Sequence, residues 1–473
     1  MKSDFDSTGL LEPQVEHAKF LLTSLYLNGG SLDPSDTGCG KTYVAASMAR
    51  ALNRPVVVIC PKPIVSKWHA VLESFGVKAF LVINYELLAR GNTKWLKRSK
   101  KWGNELWKQI AHRDKGCPEF LQAKLNLPDN SFVILDESHK CKGRDSLNAG
   151  IMIACKRQGF KLHLMSATQA TSCLEMYAFG YVIGHHDLSY KGFDLYCKDH
   201  GAEPIGKWGA LTFDGECKTA RTAMKKAHEN IFDYQCFASK LTRASMGSHF
   251  PDNFIDAVSL DFGKANTAKM EQIYAKMQKE IDELDERSSD YSIHIFAIMT
   301  KARRMTELLK VPVLVEYMEE SFKEGNSPVC FINYTDTIGA MVDRFGKPLQ
   351  RHLGFIRGGQ TSLERDGVLA DFQSDKKRIM IANIKSGGTG IDMHDLNGDY
   401  PRTSYVNPGF SAVDVLQSLG RICRQGAKTK CLQKIVFAAG TIEETACQKV
   451  QMRINNLHTL NTGELSDSDL VIL

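Results

Sequence analysis

The sequence predicts an α/β protein with two lobes, each built on a parallel sheet covered by helices. Apolar runs such as PVVVIC (55–60), FVILD (132–136) and VCFI (329–332) are typical of strands that are buried on both faces. A glycine-containing turn at residues 35–42 leads directly into a helical pattern. The length of 473 residues is sufficient for two or three domains, each with a sizeable core.

The composition is that of an ordinary globular protein, with 43% hydrophobic and 24% charged residues. The first residues, MKSDFDSTG, contain no apolar core, which excludes a secretory signal there. No run of 18 apolar residues occurs, so we expect no membrane partner. We therefore expect a cytoplasmic location, in bacterial or viral host cytosol, or a nuclear one.

The 13 cysteines are scattered and form no C-x-x-C pair, so we expect reduced, buried thiols. Cysteines and histidines also cluster between residues 173 and 200, but their spacing fits no familiar zinc finger. We therefore expect no structural zinc.

The charge distribution suggests a nucleic-acid partner without requiring one. The net charge is +6 and the pI is about 8.5. Between residues 90 and 115 basic residues outnumber acidic ones, and Trp95, Trp102 and Trp107 lie among them. This insertion is either a solvated helix whose tryptophans dock onto the domain or a segment that grips phosphates through Lys97, Arg98, Lys100 and Lys101.

A phosphate-binding loop is predicted where the sequence reads S-D-T-G-C-G-K-T. The helix after it would direct backbone N–H groups and its positive end at phosphate oxygens. Serine replaces the usual first glycine, but the two remaining glycines still allow the backbone to approach a ligand. We expect the loop to bind ATP, with Lys41 on the β- and γ-phosphates and the Thr42 hydroxyl on Mg²⁺. The expected binding residues are Ser35, Asp36, Thr37, Gly38, Cys39, Gly40, Lys41 and Thr42.

Two carboxylates, Asp136 and Glu137, directly follow the apolar run at 132–135. Such a pair alone is usually a capped turn. Ligands of open α/β sheets, however, bind at the carboxyl ends of strands, and a phosphate loop precedes this pair. We predict that Asp136 holds Mg²⁺ through water and that Glu137 orients and deprotonates the attacking water.

Two arginines, Arg421 and Arg424, lie in the stretch Q-S-L-G-R-I-C-R-Q-G (417–426). On a helix their spacing of three would place both on one face. They are either surface charges or arginine fingers that reach a γ-phosphate from the second lobe. The second alternative requires a lobe that closes and opens in each hydrolysis cycle, as a motor does.

Taken together, these stretches resemble superfamily 2 nucleic-acid helicases, most closely the chromatin-remodeller-like branch (the sucrose-non-fermenting type ATPases). The resemblance covers nearly the whole chain and implies two tandem RecA-like lobes. Gln14 in L-L-E-P-Q resembles the adenine-reading glutamine, and S-A-T (166–168) resembles the element that couples hydrolysis to movement through Ser166 and Thr168. P-K-P-I-V-S-K-W (61–68) and I-N-Y-E-L-L (83–88) resemble motifs that touch nucleic acid, which implies DNA contacts by Pro61, Lys62 and Tyr85.

The second lobe continues in the same order with V-C-F-I-N-Y (329–334), G-Q-T-S-L-E-R (359–365) and K-S-G-G-T-G-I-D (385–392). The last of these resembles the glycine-rich loop that meets both DNA and the nucleotide. G-T-I-E-E (440–444) follows the arginine stretch, and its Thr441 and Glu444 also fit a capping box. The resemblance implies DNA contacts by Asn333, Thr361, Lys385, Ser386, Gly387 and Thr389, nucleotide contacts by Gly390 and Asp392, and a catalytic role for Gln417.

We expect lobe 1 to span residues 1–245, with the basic insertion at 90–130 and a helical excursion at 172–235. Lobe 2 should span 246–473, with a helical protrusion at 264–310, and the stretch 238–253 should act as a hinge.

The resemblance implies an ATP-dependent DNA translocase that acts on duplex or branched DNA without sequence preference. Strand separation on single-stranded or partly duplex DNA is the alternative, and an RNA helicase or an ATP-gated DNA clamp ranks lower. The sequence gives no indication of protein partners.

Overall fold

The computed structural model describes residues 5–89, 93–97, 124–144, 146–205, 210–213, 218–260, 262–284, 291–387, 391–409, 411–438 and 441–467. The chain divides into two compact units. Unit 1 comprises Met1–Gly247 and Met452–Ser468, and unit 2 comprises Ser248–Gln451 and Asp469–Leu473.

The carboxyl-terminal segment 452–468 was expected in the second lobe, but it groups with unit 1. Its apolar side chains explain this grouping. Leu457 and Leu460 are buried, and Leu460 is part of a hydrophobic core that otherwise consists of residues 32–238.

Unit 1 is built on a five-stranded parallel sheet in the order β1-β7-β6-β2-β3. Its strands are β1 (Gly30–Asp33), β2 (Val56–Cys60), β3 (Ala79–Asn84), β6 (Phe132–Asp136) and β7 (Lys161–Met165). Two small antiparallel pairs accompany it: β4 (Leu96–Lys97) with β5 (Lys124–Leu125), and β8 (Glu203–Ile205) with β9 (Ala210–Thr212).

The central strands of this sheet are buried on both faces, as their continuous apolar sequence predicts. Along β2, Val57 and Ile59 belong to one hydrophobic core, whereas Val56 and Val58 belong to the other. This alternation follows from the period of two in a strand. The helices that cover the sheet are α1 (Glu12–Asn28), α2 (Lys41–Leu52), α3 (Val65–Ser74), α4 (Tyr85–Ala89) and α5 (Leu147–Arg157).

The excursion after β7 is mainly helical, as expected. It contains α6 (Tyr177–Val182), α7 (Tyr190–Asp199) and α8 (Lys218–His228), with a 3₁₀ turn at Cys173–Glu175 and a π-helical turn at Glu229–Tyr234. Further 3₁₀ segments are Lys62–Ile64, Ser138–Cys141 and Ala244–His249.

Unit 2 is built on a six-stranded parallel sheet in the order β10-β15-β14-β11-β13-β12. Its strands are β10 (Asn253–Leu260), β11 (Ser327–Ile332), β12 (Leu353–Ile356), β13 (Ile379–Asn383), β14 (Arg402–Val406) and β15 (Cys431–Ala438). Its helices are α9 (Gly263–Asp282), α10 (Tyr291–Lys323), α11 (Thr335–Arg344), α12 (Lys347–Gln350), α13 (Ser362–Gln373), α14 (Ile384–Gly387), α15 (Ala412–Leu419) and α16 (Ile442–Thr462), the last of which continues into the segment of unit 1. Two parallel sheets with helices confirm the predicted α/β class.

Within the described parts of the chain, no helix combines the length and the apolar character needed to cross a membrane. The cysteines described there form no disulfide with one another, and all except Cys236 are buried.

Candidate active site

The order of the strands in unit 1 brings the predicted motifs together. The phosphate loop follows β1, the S-A-T stretch follows β7 and the two carboxylates end or follow β6. These strands are neighbours in the sheet and parallel, so their carboxyl ends lie side by side at one edge. The S-A-T stretch thus lies between the phosphate loop and the carboxylates.

The phosphate loop is held by its own lysine and by the helix that precedes it. The Lys41 ammonium donates to the carbonyl oxygens of Ser35 at 2.6 Å and of Asp36 at 3.1 Å. The Gln14 amide donates to the carbonyl of Cys39 at 2.9 Å and accepts from the N–H of Leu11. The Gln14 side chain therefore holds the loop in place, and its expected hydrogen bonds to adenine stay a prediction.

Gly40 is required where Gln14 meets the loop. Its φ of 82° is favourable for glycine, and a Cβ there would overlap Nε2 of Gln14. Gly38 also has a positive φ, of 92°. α2 begins at Lys41, and the first turn of a helix leaves N–H groups without intrahelical acceptors. The backbone N–H groups of Lys41 and Thr42 lie in this first turn, where a phosphate site requires donors.

Ser35 has a structural role that glycine could not fill. Its side chain is fully buried, and its hydroxyl accepts from the N–H of Leu241 at 2.8 Å. The N–H of Asp36 in turn donates to the carbonyl of Leu241 at 2.9 Å. Arg243 donates to Asp36 through its N–H and to Thr37 through its guanidinium, each at 3.1 Å.

These contacts correct one expectation from the sequence. The first part of the predicted hinge, residues 238–243, is bonded to the phosphate loop, because its polar groups complete the hydrogen bonds of that loop. The division between the units falls later, at Gly247, whose φ of 57° interrupts the 3₁₀ segment.

Asp136 is buried and is oriented by Trp68, whose indole N–H donates to Oδ2 at 2.8 Å. Burial and the neighbouring charge of Glu137 raise the pKa of Asp136 to about 6. The Trp68 bond and the positive charge of Lys41 act in the opposite direction. The influence of Lys41 indicates that the phosphate loop and the carboxylates face each other.

Glu137 adopts a left-handed backbone conformation, with a φ of 54°. Such a conformation costs a residue other than glycine about 1 kcal/mol or more, and it is found preferentially at functional sites. Oε2 of Glu137 lies 3.3 Å from Nδ1 of His139, and the same Nδ1 lies 3.0 Å from Oγ of Ser166. The Thr168 N–H donates to that Oγ at 3.1 Å. A continuous path of polar contacts therefore joins Glu137 to the S-A-T stretch.

In unit 2, Arg421 and Arg424 lie beyond the helix on which they were expected. α15 ends at Leu419, where the N–H of Gly420 bonds to the carbonyls of both Leu416 and Ser418 and tightens the last turn. The two arginines nevertheless both contact the segment 391–392. Arg421 is buried and donates to the carbonyl of Ile391 at 3.2 Å, and Arg424 pairs with Asp392 at 2.5 Å. Gln417 is buried on α15.

Asn333 belongs to a buried polar network at the carboxyl ends of β11, β14 and β15. The carboxylate of Glu307 on α10 accepts from the N–H and amide of Asn333 and from the amide of Asn407. Lys310 on the same helix bonds to Asn407 and pairs with Glu443 at 2.8 Å. The hydroxyl of Thr441 accepts from the N–H of Glu443, so the capping box that the sequence predicted between Thr441 and Glu444 is wrong.

The other residues predicted to touch DNA differ in exposure. Lys62, Thr361 and Lys385 are exposed, and Thr361 caps α13 through a bond from the N–H of Glu364 at 3.2 Å. Tyr85 is fully buried and donates to the carbonyl of Asp136 at 2.9 Å, and Pro61 is buried as well. Neither side chain is exposed in this structure, and the DNA contacts expected for all these residues stay predictions.

Several predicted residues lie outside those that the structure describes. They are Arg98, Lys100, Lys101, Thr389 and Gly390, and only the backbone is described for Lys97, Ser386 and Gly387. In the neighbouring part of the insertion, Trp95 packs edge-to-face on Phe80, with ring centroids 5.4 Å apart. For Trp95, docking onto unit 1 is thus the correct alternative.

No protein-family profile matches the chain, but individual proteins do. A protein of Acanthamoeba polyphaga mimivirus that is named an ATP-dependent RNA helicase is 29% identical over 472 residues, which cover 98% of this chain and 85% of that protein. The DNA repair and recombination protein RAD54 of Saccharomyces cerevisiae is 25% identical over 151 residues, 31% of this chain and 16% of its own length.

The chain is similar to superfamily 2 helicases and translocases over nearly its whole length. This similarity, together with the phosphate loop and the two carboxylates, indicates an ATP hydrolase. The solved structure of S. cerevisiae Dbp5 bound to RNA and ADP BeF3 covers 96% of the chain and 94% of its own, with 12% identity and a TM-score of 0.50. This likeness shows the fold, two tandem RecA-like lobes.

The sequence did not single out four residues that shape this site. Trp68 orients Asp136, His139 joins Glu137 to Ser166, and Arg243 holds the phosphate loop. His17 lies 3.3 Å from Asp33 at the end of β1. Trp68 ends the quoted stretch 61–68 and His139 lies two residues after Glu137, so both could have been noticed there. His17 and Arg243 have no local signal, since only folding brings them to the loop.

The donor set at this site fits Mg²⁺. Hard oxygen ligands, a carboxylate and a hydroxyl, are those that this ion prefers. Burial and, after it, the neighbouring charge of Glu137 keep the pKa of Asp136 raised. A cation would relieve that repulsion. Thr42 and Asp136 are the residues that would hold it.

Proposed function

We propose that this chain is an ATP-driven translocase of the remodeller-like branch of superfamily 2, which moves along duplex DNA and remodels branched DNA in repair or recombination. The observation that carries the motor part of the proposal is the polar path from Glu137 through His139 to Ser166. It connects the group proposed to activate water with the element proposed to couple hydrolysis to movement.

Two residues of unit 1 have central roles in the chemical step that we propose. Lys41 stabilises the negative charge of the transferred phosphoryl group, and Glu137 accepts a proton from the attacking water. Mg²⁺, when bound, neutralises charge on the β- and γ-phosphates.

A change of charge at Glu137 would alter the contacts of the S-A-T stretch. When Glu137 takes up a proton it loses its charge and thereby weakens its contact with His139. Nδ1 of His139 also contacts Ser166. A change in the protonation of Glu137 therefore reaches the S-A-T stretch through His139. This is the physical basis that we propose for coupling.

DNA as the substrate is supported by charge and by one relative. Exposed Lys62 and Lys385 follow the carboxyl ends of β2 and β13, and the chain carries a net charge of +6. Contacts of this kind are made to phosphates, so binding would be independent of sequence and sensitive to salt. The name of the yeast relative, a DNA repair and recombination protein, favours DNA.

A second candidate is unwinding of RNA. The mimivirus relative, which covers nearly the whole chain, is named an RNA helicase. Separation of DNA strands from a single-stranded loading site is a further alternative, because the same hydrolysis step could drive it.

The experiment is steady-state ATP hydrolysis without nucleic acid and with single-stranded DNA, duplex DNA, a four-way junction and RNA. Strongest stimulation by duplex or junction DNA is expected. Strongest stimulation by single-stranded DNA would replace the proposal with an unwinding helicase, and strongest stimulation by RNA would replace it with the RNA candidate. Equal rates with and without every nucleic acid would contradict a nucleic-acid motor altogether.

A further inference from the structure

A cavity of about 390 Å³ lies in the helical excursion of unit 1, apart from the phosphate loop and the carboxylates. Its volume is within the range of roughly 300–1,000 Å³ that small-molecule sites occupy. Residues from α7 and the loop segments on either side of it, from α8 and from the π-helical turn line it, among them His185, Tyr196, His200, Lys226 and Asn230. The proposed hydrolysis step uses none of them.

The wall of the cavity is aromatic. The rings of Tyr196 and His200 have centroids 4.2 Å apart, and those of His186 and Tyr196 are 5.3 Å apart. His186 also packs at 4.9 Å against Phe193. Such a cluster of flat side chains presents surfaces on which another planar ring can stack.

Two of the histidines that line this cavity have buried ring nitrogens for which the structure shows no partner. His200 is only 6% exposed, and its Nδ1 donates to the carbonyl of Tyr196 at 2.8 Å. Its Nε2 is therefore an acceptor, and it is buried without a partner. Both ring nitrogens of His185 are likewise buried and unpartnered. Buried polar atoms in native proteins are nearly always satisfied, so these atoms require a ligand or water.

The polar groups match the edge of a nucleobase. Burial lowers the pKa of His185 to about 4, so at neutral pH its ring offers one donor and one acceptor. His186 is engaged differently, because its two nitrogens contact the carbonyls of Asp187 and Met176. Histidine clusters can also bind a metal, but His186 has no ring nitrogen left for one.

Other residues that line the cavity supply a positive charge, an amide and an exposed apolar side chain. Lys226 is exposed and can meet a phosphate, and Asn230 has an amide that can both donate and accept. Asn230 lies in the π-helical turn at Glu229–Tyr234, a rare conformation that is frequent at functional sites. Leu195, 59% exposed, stands at the mouth.

We propose that this cavity binds one unpaired nucleobase of the strand on which the motor acts, stacked against the Tyr196–His200 wall, with its phosphate at Lys226. This inference rests on the proposed function, since it assumes a nucleic-acid substrate. It adds a base-binding site to a motor whose other predicted contacts are to phosphates. Such a site would hold a displaced or flipped nucleotide while the duplex is remodelled.

The test compares a single-stranded oligonucleotide with an abasic strand of the same length by fluorescence anisotropy. Leu195→Trp fills the mouth of the cavity without removing a buried contact. Leu27→Trp, at a leucine 74% exposed on α1, is the matched control. We expect wild type and Leu27→Trp to bind the base-bearing strand about tenfold more tightly than the abasic strand, and Leu195→Trp to lose that preference. A 5-iodouracil strand should photocrosslink within residues 185–200 of the wild type.

The outcomes separate the two proposals. Equal preference in all three proteins, or crosslinks only elsewhere, would overturn the base site while leaving the motor intact if nucleic acid still stimulates ATP hydrolysis. Tight binding of free AMP, competing with the strand at equal concentration, would show a free-nucleotide site instead. Thermal stabilisation by Zn²⁺ with no preference for bases would show a metal site. If nucleic acid neither binds nor stimulates hydrolysis in the wild type, the proposed function itself fails.

Discussion

Glu137 occupies a strained backbone conformation at the end of β6 and contacts His139, which makes it the residue whose change is most informative. Glu137→Gln keeps the size and hydrogen-bonding shape of the side chain but removes the base. We expect nucleotide binding to persist and hydrolysis to fall by about a hundredfold or more. Binding of a fluorescent ATP analogue and release of phosphate measure the two properties.

Glu73→Gln, at an exposed position on α3, is the control for a lost negative charge in the same unit. It should leave both properties unchanged. Normal phosphate release by Glu137→Gln would refute the assignment of this carboxylate as the base.

Ser35 gives a prediction that runs against the common phosphate-loop pattern. Ser35→Gly restores the usual glycine, yet it removes the acceptor for the buried N–H of Leu241. An unsatisfied buried donor costs about 1–3 kcal/mol, so we expect a lower free energy of unfolding of unit 1. Urea titration followed by tryptophan fluorescence reports on this unit, because all five tryptophans of the sequence lie within residues 1–247. A variant as stable as the wild type would show that the hydroxyl is not needed.

At the scale of secondary-structure elements, α10 holds the ends of three strands of unit 2 through charge. Glu307 and Lys310, one turn apart on this helix, bond to groups that follow β11, β14 and β15. Lys310 is 1% exposed, so its ammonium is stabilised by Asn407 and Glu443 and not by water.

Lys310→Met should therefore destabilise unit 2 by roughly 3 kcal/mol, since it leaves the carboxylate of Glu443 without its cation in a poorly solvated site. Lys301→Met changes an exposed lysine of the same helix and should have almost no effect. Urea unfolding followed by circular dichroism compares the two variants. Equal stability would mean that the pair contributes no more than a surface ion pair.

At the scale of the whole molecule, unit 1 is completed by a segment from the other end of the chain. The amide of Asn456 donates to the carbonyl of Thr171 at 3.4 Å, and that of Asn461 to the carbonyl of Ala167 at 3.3 Å. The S-A-T stretch and Thr171, three residues after it, are therefore contacted by residues nearly three hundred positions later in the sequence.

A chain that ends at Gln451 should lose several kcal/mol of stability in unit 1, because buried Leu457 and Leu460 contribute about 2 kcal/mol each. Tryptophan fluorescence during thermal unfolding measures the loss. A chain that ends at Asp467 retains the segment and is the control. If both truncated chains unfold at the same temperature, the segment does not support unit 1.

The sequence by itself determined the fold class and most of the nucleotide site. Buried parallel strands appear as continuous apolar runs, and the phosphate loop needs a short contiguous pattern, because its chemistry is carried by the backbone and two adjacent side chains. Asp136 and Glu137 were likewise predictable as polar residues at a strand end.

Tertiary structure alone decided which distant residues complete that site. The bond from Leu241 to Ser35, the place of Arg243 beside Thr37, the burial of Tyr85 and the position of residues 452–468 in unit 1 all depend on which elements pack together. A local pattern records the periodicity of one element, whereas these contacts join segments that are far apart in the chain. For the same reason the cavity beside Tyr196 and His200 had no signal in the sequence beyond scattered histidines that matched no known spacing.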